Sequence, residues 1–227
     1  MLYGELAHES SAYRAARAEL LQAEIALRDQ REKVAALRRQ LPVDTEVEDY
    51  LFHEGPRDLS QDGPISEVRL SELFDKPDQP LVVYQFMYGV AQENPCPSCT
   101  MWTDGLNAVA HHLAQQVNFA VIAAAGIKDW RAWGRQRGWS RLRLVSSEGT
   151  SFKEDFKFQD EDGDQLPGVS VFVKKADGAL AHFYSVSAIM GEGEYRGIDL
   201  LTPVWSLFDL TPAGRQEDWY PDTEYGN

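Results

Sequence analysis

The feature that most restricts the fold of this chain is an ordered alternation of strand-like and helix-like segments beginning at Leu81. Leu81-Val82-Val83-Tyr84-Gln85-Phe86-Met87 is a near-continuous run of β-forming residues, the composition of a strand buried on both faces. After the loop Tyr88–Pro95, apolar residues recur with helical spacing at Leu106, Val109, Ala110, Leu113 and Val117 within Met101–Val117, and Asn118–Ala123 forms a second buried run. Short joins in a β-α-β order require parallel strands with a right-handed crossover. A helix over Lys128–Arg137 stops at Gly138, and Leu142–Val145 gives the next strand. Ser151 and Glu154 have the spacing of a capping box that opens a short helix to Phe158. Val169–Val173 and Ala179–Tyr184 flank Ala176-Asp177-Gly178, a hairpin signal. The expected architecture is α/β: a mixed sheet built from strands 81–87, 118–123, 142–145, 169–173 and 179–184, flanked by helices and carrying an antiparallel edge.

Ahead of this pattern, Leu6–Leu41 contains no Gly or Pro and stops at Pro42, which predicts one long helix. Leu20, Leu27, Val34 and Leu41 repeat every seven residues, with Ala16, Ala23 and Leu37 at the intermediate position and Gln30 breaking that second row. The stripe calls for an apolar partner, either the body of the same chain or the same helix of a second copy, and a second copy is the expectation. Residues 1–41 are therefore read as a helical extension and 42–227 as the main domain with a C-terminal extension. Between Pro42 and Pro80, the pieces Val47–Phe52 and Val68–Phe74 read as a β-hairpin leading into a helical turn. Asp160-Glu161-Asp162-Gly163-Asp164 is a loop without the final glutamate of a calcium site.

Charge narrows the partners. The formal net charge is −14; the first 41 residues hold 7 of the 22 Lys/Arg and 6 of the 36 Asp/Glu, leaving 15 basic against 30 acidic residues in the main body. Such a body repels nucleic acid and anionic membranes. No stretch reaches the roughly 20 apolar residues of a membrane span, and Met1-Leu2-Tyr3-Gly4-Glu5 lacks a secretory pattern. A cytoplasmic location is expected.

The chain has 2 cysteines, and they stand three positions apart in Cys96-Pro97-Ser98-Cys99, a spacing that chance gives in roughly one case in a hundred. Two thiols alone make neither a disulfide scaffold nor a four-ligand zinc site. His111 and His112 lie about three turns further along the same helix, too far to join them on one ion, so no metal and no cofactor is expected. A strand, a loop and then this motif at the start of a helix sets the first sulfur against free backbone N–H groups at the positive end of the helix dipole. Thiolate is favoured there. Pro97 costs nothing in the first turn, the small Ser98 leaves room for a substrate, and Cys99, one turn on, can resolve a mixed disulfide. Trp102, Trp130 and Trp133 read as packing residues rather than a substrate platform; the loop Tyr88–Pro95 and Trp205, Phe208, Trp219, Tyr220 and Tyr225 near the C-terminus read as packing, with a pocket lining as the alternative.

Taken together, Arg38-Arg39-Gln40-Leu41-Pro42, Tyr50-Leu51-Phe52, Leu73-Phe74, Tyr84-Gln85-Phe86-Met87-Tyr88-Gly89, the Cys96–Cys99 motif, Val145-Ser146-Ser147 and Asp209-Leu210-Thr211-Pro212-Ala213-Gly214-Arg215 resemble the bacterial family DUF899 over nearly the whole chain. The resemblance implies a thioredoxin-like fold related to the peroxiredoxin branch and a dithiol-disulfide oxidoreductase activity. Two departures accompany it. The buried carboxylate that a thioredoxin carries before its motif is replaced by Tyr84 or Gln85. Pro167 lies near the position of the thioredoxin cis-proline, although counting back from Asp177-Gly178 makes Val169 or Ser170 the closer match. The expected activity is thiol-disulfide exchange by Cys96 and Cys99 on a protein or small-molecule disulfide, with a separate reductant. Thiol peroxidase activity is the enzymatic alternative, although the Arg that assists a peroxidatic thiolate has no identifiable counterpart. A non-catalytic dimeric interaction protein with a redox-switch thiol pair is the third reading.

Overall fold

The computed structural model describes residues 6–191, 196–216 and 218–225; the expectation about Met1–Glu5 falls outside them. The chain divides into two compact units, Met1–Pro42 and Val43–Asn227. The first is the long helix α1 (Ser11–Arg38). Ser10 caps it by accepting the Tyr13 N–H at 3.1 Å, and the helix ends three residues earlier than the apolar repeat suggested. Leu20 and Leu27 of the heptad are exposed.

The second unit holds β1 (Thr45–Glu46), β2 (Leu51–Glu54), β3 (Ser66–Arg69), β4 (Leu81–Gln85), α2 (Pro97–Leu113), β5 (Asn118–Ala123), α3 (Ile127–Arg137), β6 (Arg143–Ser146), α4 (Phe152–Asp155), β7 (Gly168–Lys174), β8 (Leu180–Ser187) and α5 (Pro203–Phe208). Its sheet has the order β1-β8-β7-β4-β5-β6-β2-β3. β4, β5 and β6 are parallel, as the crossover argument required, and β7 runs antiparallel to β4. The five expected strands form the middle of this sheet. The β2–β3 hairpin, followed by a short 3-10 turn at Leu70–Leu73, joins the β6 edge through His53 opposite Ser146. That junction is held by Arg143, whose guanidinium makes two 2.7 Å bonds to the Glu54 carboxylate with both side chains at most 10% exposed. Two thin polar signals, one on each strand, thus become one buried ion pair.

Alternation along the strands separates two cores. Tyr84, Phe86, Val121 and Ala123 face α2 and α3, while Leu81, Val83, Ala120 and Ile122 face Phe52, Leu70, Leu73 and Phe152. Helices therefore cover both faces. Gly138 closes α3 in the left-handed region at φ 69°. At Gly168 a Cβ would lie 2.2 Å from the Phe158 ring and 2.4 Å from the Val186 carbonyl, so only glycine lets β7 begin there. The expected capping box is not formed. The Ser151 hydroxyl donates to Asp155 at 2.6 Å, the Phe152 N–H is taken by Thr150 Oγ1 at 3.3 Å, and α4 is a single turn. Among the described residues no helix is long and apolar enough to cross a membrane.

Candidate active site

Both cysteines lie where β4 hands over to α2. Cys96 is the N-cap residue in extended conformation, Pro97 occupies the first helical position, and the Cys99 N–H donates to Cys96 Sγ at 3.4 Å. The turn is braced from both sides: the Cys96 N–H donates to the Met87 carbonyl at 3.1 Å, and Thr100 Oγ1 donates to the Cys96 carbonyl at 2.9 Å while accepting from Trp133 Nε1 at 3.3 Å. Thr103 Oγ1 holds the Cys99 carbonyl at 2.8 Å. The first turn therefore has little freedom, and its sulfur sits on the free N–H groups of the helix end.

The two thiols have opposite environments. Cys96 is half-buried and Cys99 fully buried; both are free thiols. The Cys96 pKa falls to about 6, first because the Cys99 thiol hydrogen-bonds it, then through the Cys99 and Ser98 backbone N–H groups and Tyr220, against the opposing effect of burial. Burial pushes Cys99 well above the usual thiol range, and an anionic Cys96 pushes it further. Tyr220 hydroxyl lies 3.9 Å from Cys96 Sγ.

Below the pair is a floor made by residues distant in sequence. Tyr84 is fully buried, and burial and then Cys99 keep it neutral. Lys153, on α4, is 2% exposed, and its ammonium donates to the Phe86 carbonyl at 2.7 Å. Burial lowers its pKa to about 7, opposed by an attraction to Cys99. Gln85, by contrast, belongs to a separate polar chain, donating to Ser170 Oγ at 3.2 Å, which in turn accepts from Ser185 Oγ at 2.9 Å. Of the two positions standing where a carboxylate was sought, Tyr84 is the one that meets Cys99.

Beside the motif opens a cavity of about 900 Å³ whose walls include Ser98, Trp102, Pro167, Trp205, Trp219 and Tyr220. The packing reading holds for Trp130, which is fully buried against Phe86 and Trp139, and for Trp133. It is incomplete for Trp102, Trp205, Trp219 and Tyr220, which also form cavity wall. Tyr225 instead lies under Arg137, 5.4 Å from the ring centre. Pro167 borders the cavity together with Gln165 and Leu166, whereas Val169 and Ser170 lie within β7, and no cis peptide bond occurs among the described residues. His111 and His112 are exposed in the last turn of α2. Lys153 escaped the sequence reading, and of the C-terminal aromatics read as packing or pocket lining, Trp205, Trp219 and Tyr220 border the cavity.

A mixed sheet with this strand order, clad by helices and bearing a Cys-x-x-Cys at a helix N-terminus, defines a thioredoxin-like protein. The chain belongs to the family described as bacterial protein of unknown function (DUF899), whose model matches residues 5–225. Among curated proteins no match is found. Similar solved structures include the reduced Prx3 of Vibrio vulnificus in complex with hydrogen peroxide (13% identity, 71% of this chain and 98% of that one, TM-score 0.50) and another peroxiredoxin (11%, 69% and 88%, TM-score 0.50). The mitochondrial 2-Cys peroxiredoxin of Plasmodium falciparum is also similar (13%, 74% and 95%, TM-score 0.49). At these identities the likeness is one of fold.

Proposed function

We propose that the protein is a cytoplasmic thiol-disulfide oxidoreductase in which Cys96 attacks and Cys99 resolves. The observation that carries this reading is the asymmetry of the pair: an accessible sulfur with a pKa of about 6 beside a fully buried one pushed upward. At neutral pH the first is thiolate and the second holds its proton. Cys96 thiolate attacks a substrate disulfide, forming a mixed disulfide and releasing one substrate thiolate. Cys99 then loses its proton and attacks Cys96 Sγ, the second substrate thiolate leaves, and the protein keeps a Cys96–Cys99 disulfide. Two protein thiols are oxidised and one substrate disulfide is reduced. Lys153, partly free amine at neutral pH, takes the role of proton acceptor for Cys99 that a carboxylate would otherwise fill.

The groups that lower the Cys96 pKa are Cys99, Ser98 and Tyr220. None is a cation, which favours disulfide exchange over peroxide reduction assisted by arginine. The test is a pair of variants. Cys99→Ser is expected to accumulate a mixed disulfide with an added aryl disulfide, and Cys96→Ser to lose exchange by about a thousandfold or more. Equal rates in the two variants would overturn the assignment, and turnover of hydrogen peroxide without turnover of disulfide would replace it with peroxidase activity.

The heptad Leu20, Leu27, Val34 and Leu41 further supports a homodimer formed by α1. Sedimentation at twice the chain mass, reduced to the single mass by Leu27→Glu, is the expected result.

A further inference from the structure

The cavity beside the motif has features that neither the thiol chemistry nor the packing of the fold requires. Its volume of about 900 Å³ falls within the roughly 300–1,000 Å³ of small-molecule sites. Its aromatic wall is rigid: Trp205 and Trp219 meet at 90° with ring centres 4.9 Å apart, Trp102 lies 6.3 Å from Trp205, and the Arg215 guanidinium covers Trp205 at 4.3 Å.

Charge in the wall is cancelled internally. Arg215 bonds the buried Asp199 at 2.9 and 3.3 Å, Arg196 bonds the same carboxylate at 2.6 Å, and Arg196 also pairs with Asp209. Among the described residues, two arginines thus face two aspartates and their charges cancel. What is left is the apolar surface of the indole and phenol rings of Trp102, Trp205, Trp219 and Tyr220.

Resting on the oxidoreductase reading above, we propose that this cavity is the substrate subsite and that it takes a small, uncharged, largely apolar disulfide. The aromatic wall would cover the apolar part, and the disulfide would lie toward Ser98 and Cys96. Net charge on the ligand would be unmatched in a wall whose ions are already paired, which disfavours glutathione disulfide and acidic or basic disulfides alike. Tyr220 and the segment carrying Trp205 and Trp219 border the thiol on this side, which suits a molecule that enters a cavity rather than the flat surface of a folded protein. Two protein thiols give up two electrons and two protons, and the bound disulfide leaves as two thiols.

The probes are three disulfides of similar length: N,N′-diacetylcystamine, uncharged with two amide carbonyls; cystamine, dicationic; and 3,3′-dithiodipropionate, dianionic. The reduced full chain is mixed with each, oxidation of Cys96 and Cys99 is followed by mass spectrometry after an acid quench, and each rate is divided by that of the same disulfide with free N-acetylcysteine. The uncharged probe is expected to lead by about tenfold or more. Ile189 belongs to the cavity wall, and Ile189→Trp, which fills the cavity from there, is expected to abolish the lead without changing the rate of Cys96 alkylation by iodoacetamide. Equal normalised rates, or a lead that survives Ile189→Trp, would overturn the proposal. A redox-inert analogue, N,N′-diacetyl-1,6-diaminohexane, separates the subsite from the chemistry. It should slow Cys96 alkylation in the parent and not in Ile189→Trp. Failure to protect overturns the subsite even if exchange is found, whereas protection without exchange by any probe upholds the binding site and rejects the oxidoreductase reading instead.

Discussion

The rim and the floor of the candidate site use the same element, sulfur, in opposite ways. At the rim, Cys96 sits at the end of a helix with N–H groups, a thiol and the Tyr220 hydroxyl turned toward it, and the thiolate is the stable form. At the floor, Cys99, Tyr84 and Lys153 share a dry interior in which every charged state is penalised by burial first. The two sulfurs stand only three positions apart, so the difference arises from the direction each faces on the first turn of α2 rather than from their local sequence. A dithiol with one end charged and the other held neutral can bind a substrate sulfur before its own disulfide closes.

The largest expected effect that would break this comparison lies at Lys153. Its folded pKa of about 7 stands below the ordinary lysine value of about 10.4, so the unfolded chain binds the extra proton between these limits. The sign follows: stability should rise as pH increases from about 7 to about 10.4, the cost being complete below the window and absent above it. That cost is on the order of 4 kcal/mol, partly offset by the bond to Phe86. Lys153→Met should therefore gain about 2 kcal/mol at pH 7, after about 1–2 kcal/mol for the orphaned Phe86 carbonyl, and should flatten the pH dependence of urea unfolding in that window. A variant less stable than the parent at pH 7, with an unchanged slope, would mean that the floor tolerates charge. The same variant should slow release of mixed disulfides from Cys96 while leaving their formation unaffected.

The second expectation concerns the two sulfurs directly. Alkylation by iodoacetamide under native conditions should follow a single titration near pH 6 at Cys96, with Cys99 unreactive until the fold opens. Because stabilising the thiolate stabilises the reduced pair, the reduction potential should lie above the thioredoxin value of about −270 mV and below the DsbA value of about −120 mV. Two equally reactive thiols would erase the distinction between rim and floor.

The rim was largely legible in the sequence and the floor was not. Cys96-Pro97-Ser98-Cys99 after a buried strand is a local signal: cap, proline at the first position and spacing lie within four residues. The parallel strands were legible for the same reason, since continuous apolar runs declare burial on both faces. Lys153 carries no such mark. In Phe152-Lys153-Glu154-Asp155 it reads as an ordinary surface lysine, and only the contact with Phe86, 67 positions away, makes it an interior one. The β2–β3 hairpin was visible as a hairpin, but its attachment to β6 depends on Glu54 meeting Arg143 across 89 positions. The C-terminal aromatics were noticed, but their role as cavity wall depends on a chain reversal that composition does not encode.

The smallest expected effect is at Tyr220, and it sharpens the comparison because it isolates one contribution at the rim. The hydroxyl stands 3.9 Å from Cys96 Sγ across 124 positions of chain, long even for a bond to sulfur, and the residue is 61% exposed. The Cys99 thiol and the Cys99 backbone N–H come before it among the causes of the lowered pKa, and the Ser98 N–H after it. Tyr220→Phe keeps the ring in the cavity wall and deletes only the hydroxyl. The midpoint of Cys96 alkylation should move upward by about half a pH unit or less, equivalent to under about 0.7 kcal/mol, with thermal stability unchanged. A shift of two units would make Tyr220 the principal stabiliser of the thiolate and move the source of the asymmetry from the helix end to the C-terminal segment. No shift at all would assign the rim wholly to α2, with Tyr220 serving as wall alone.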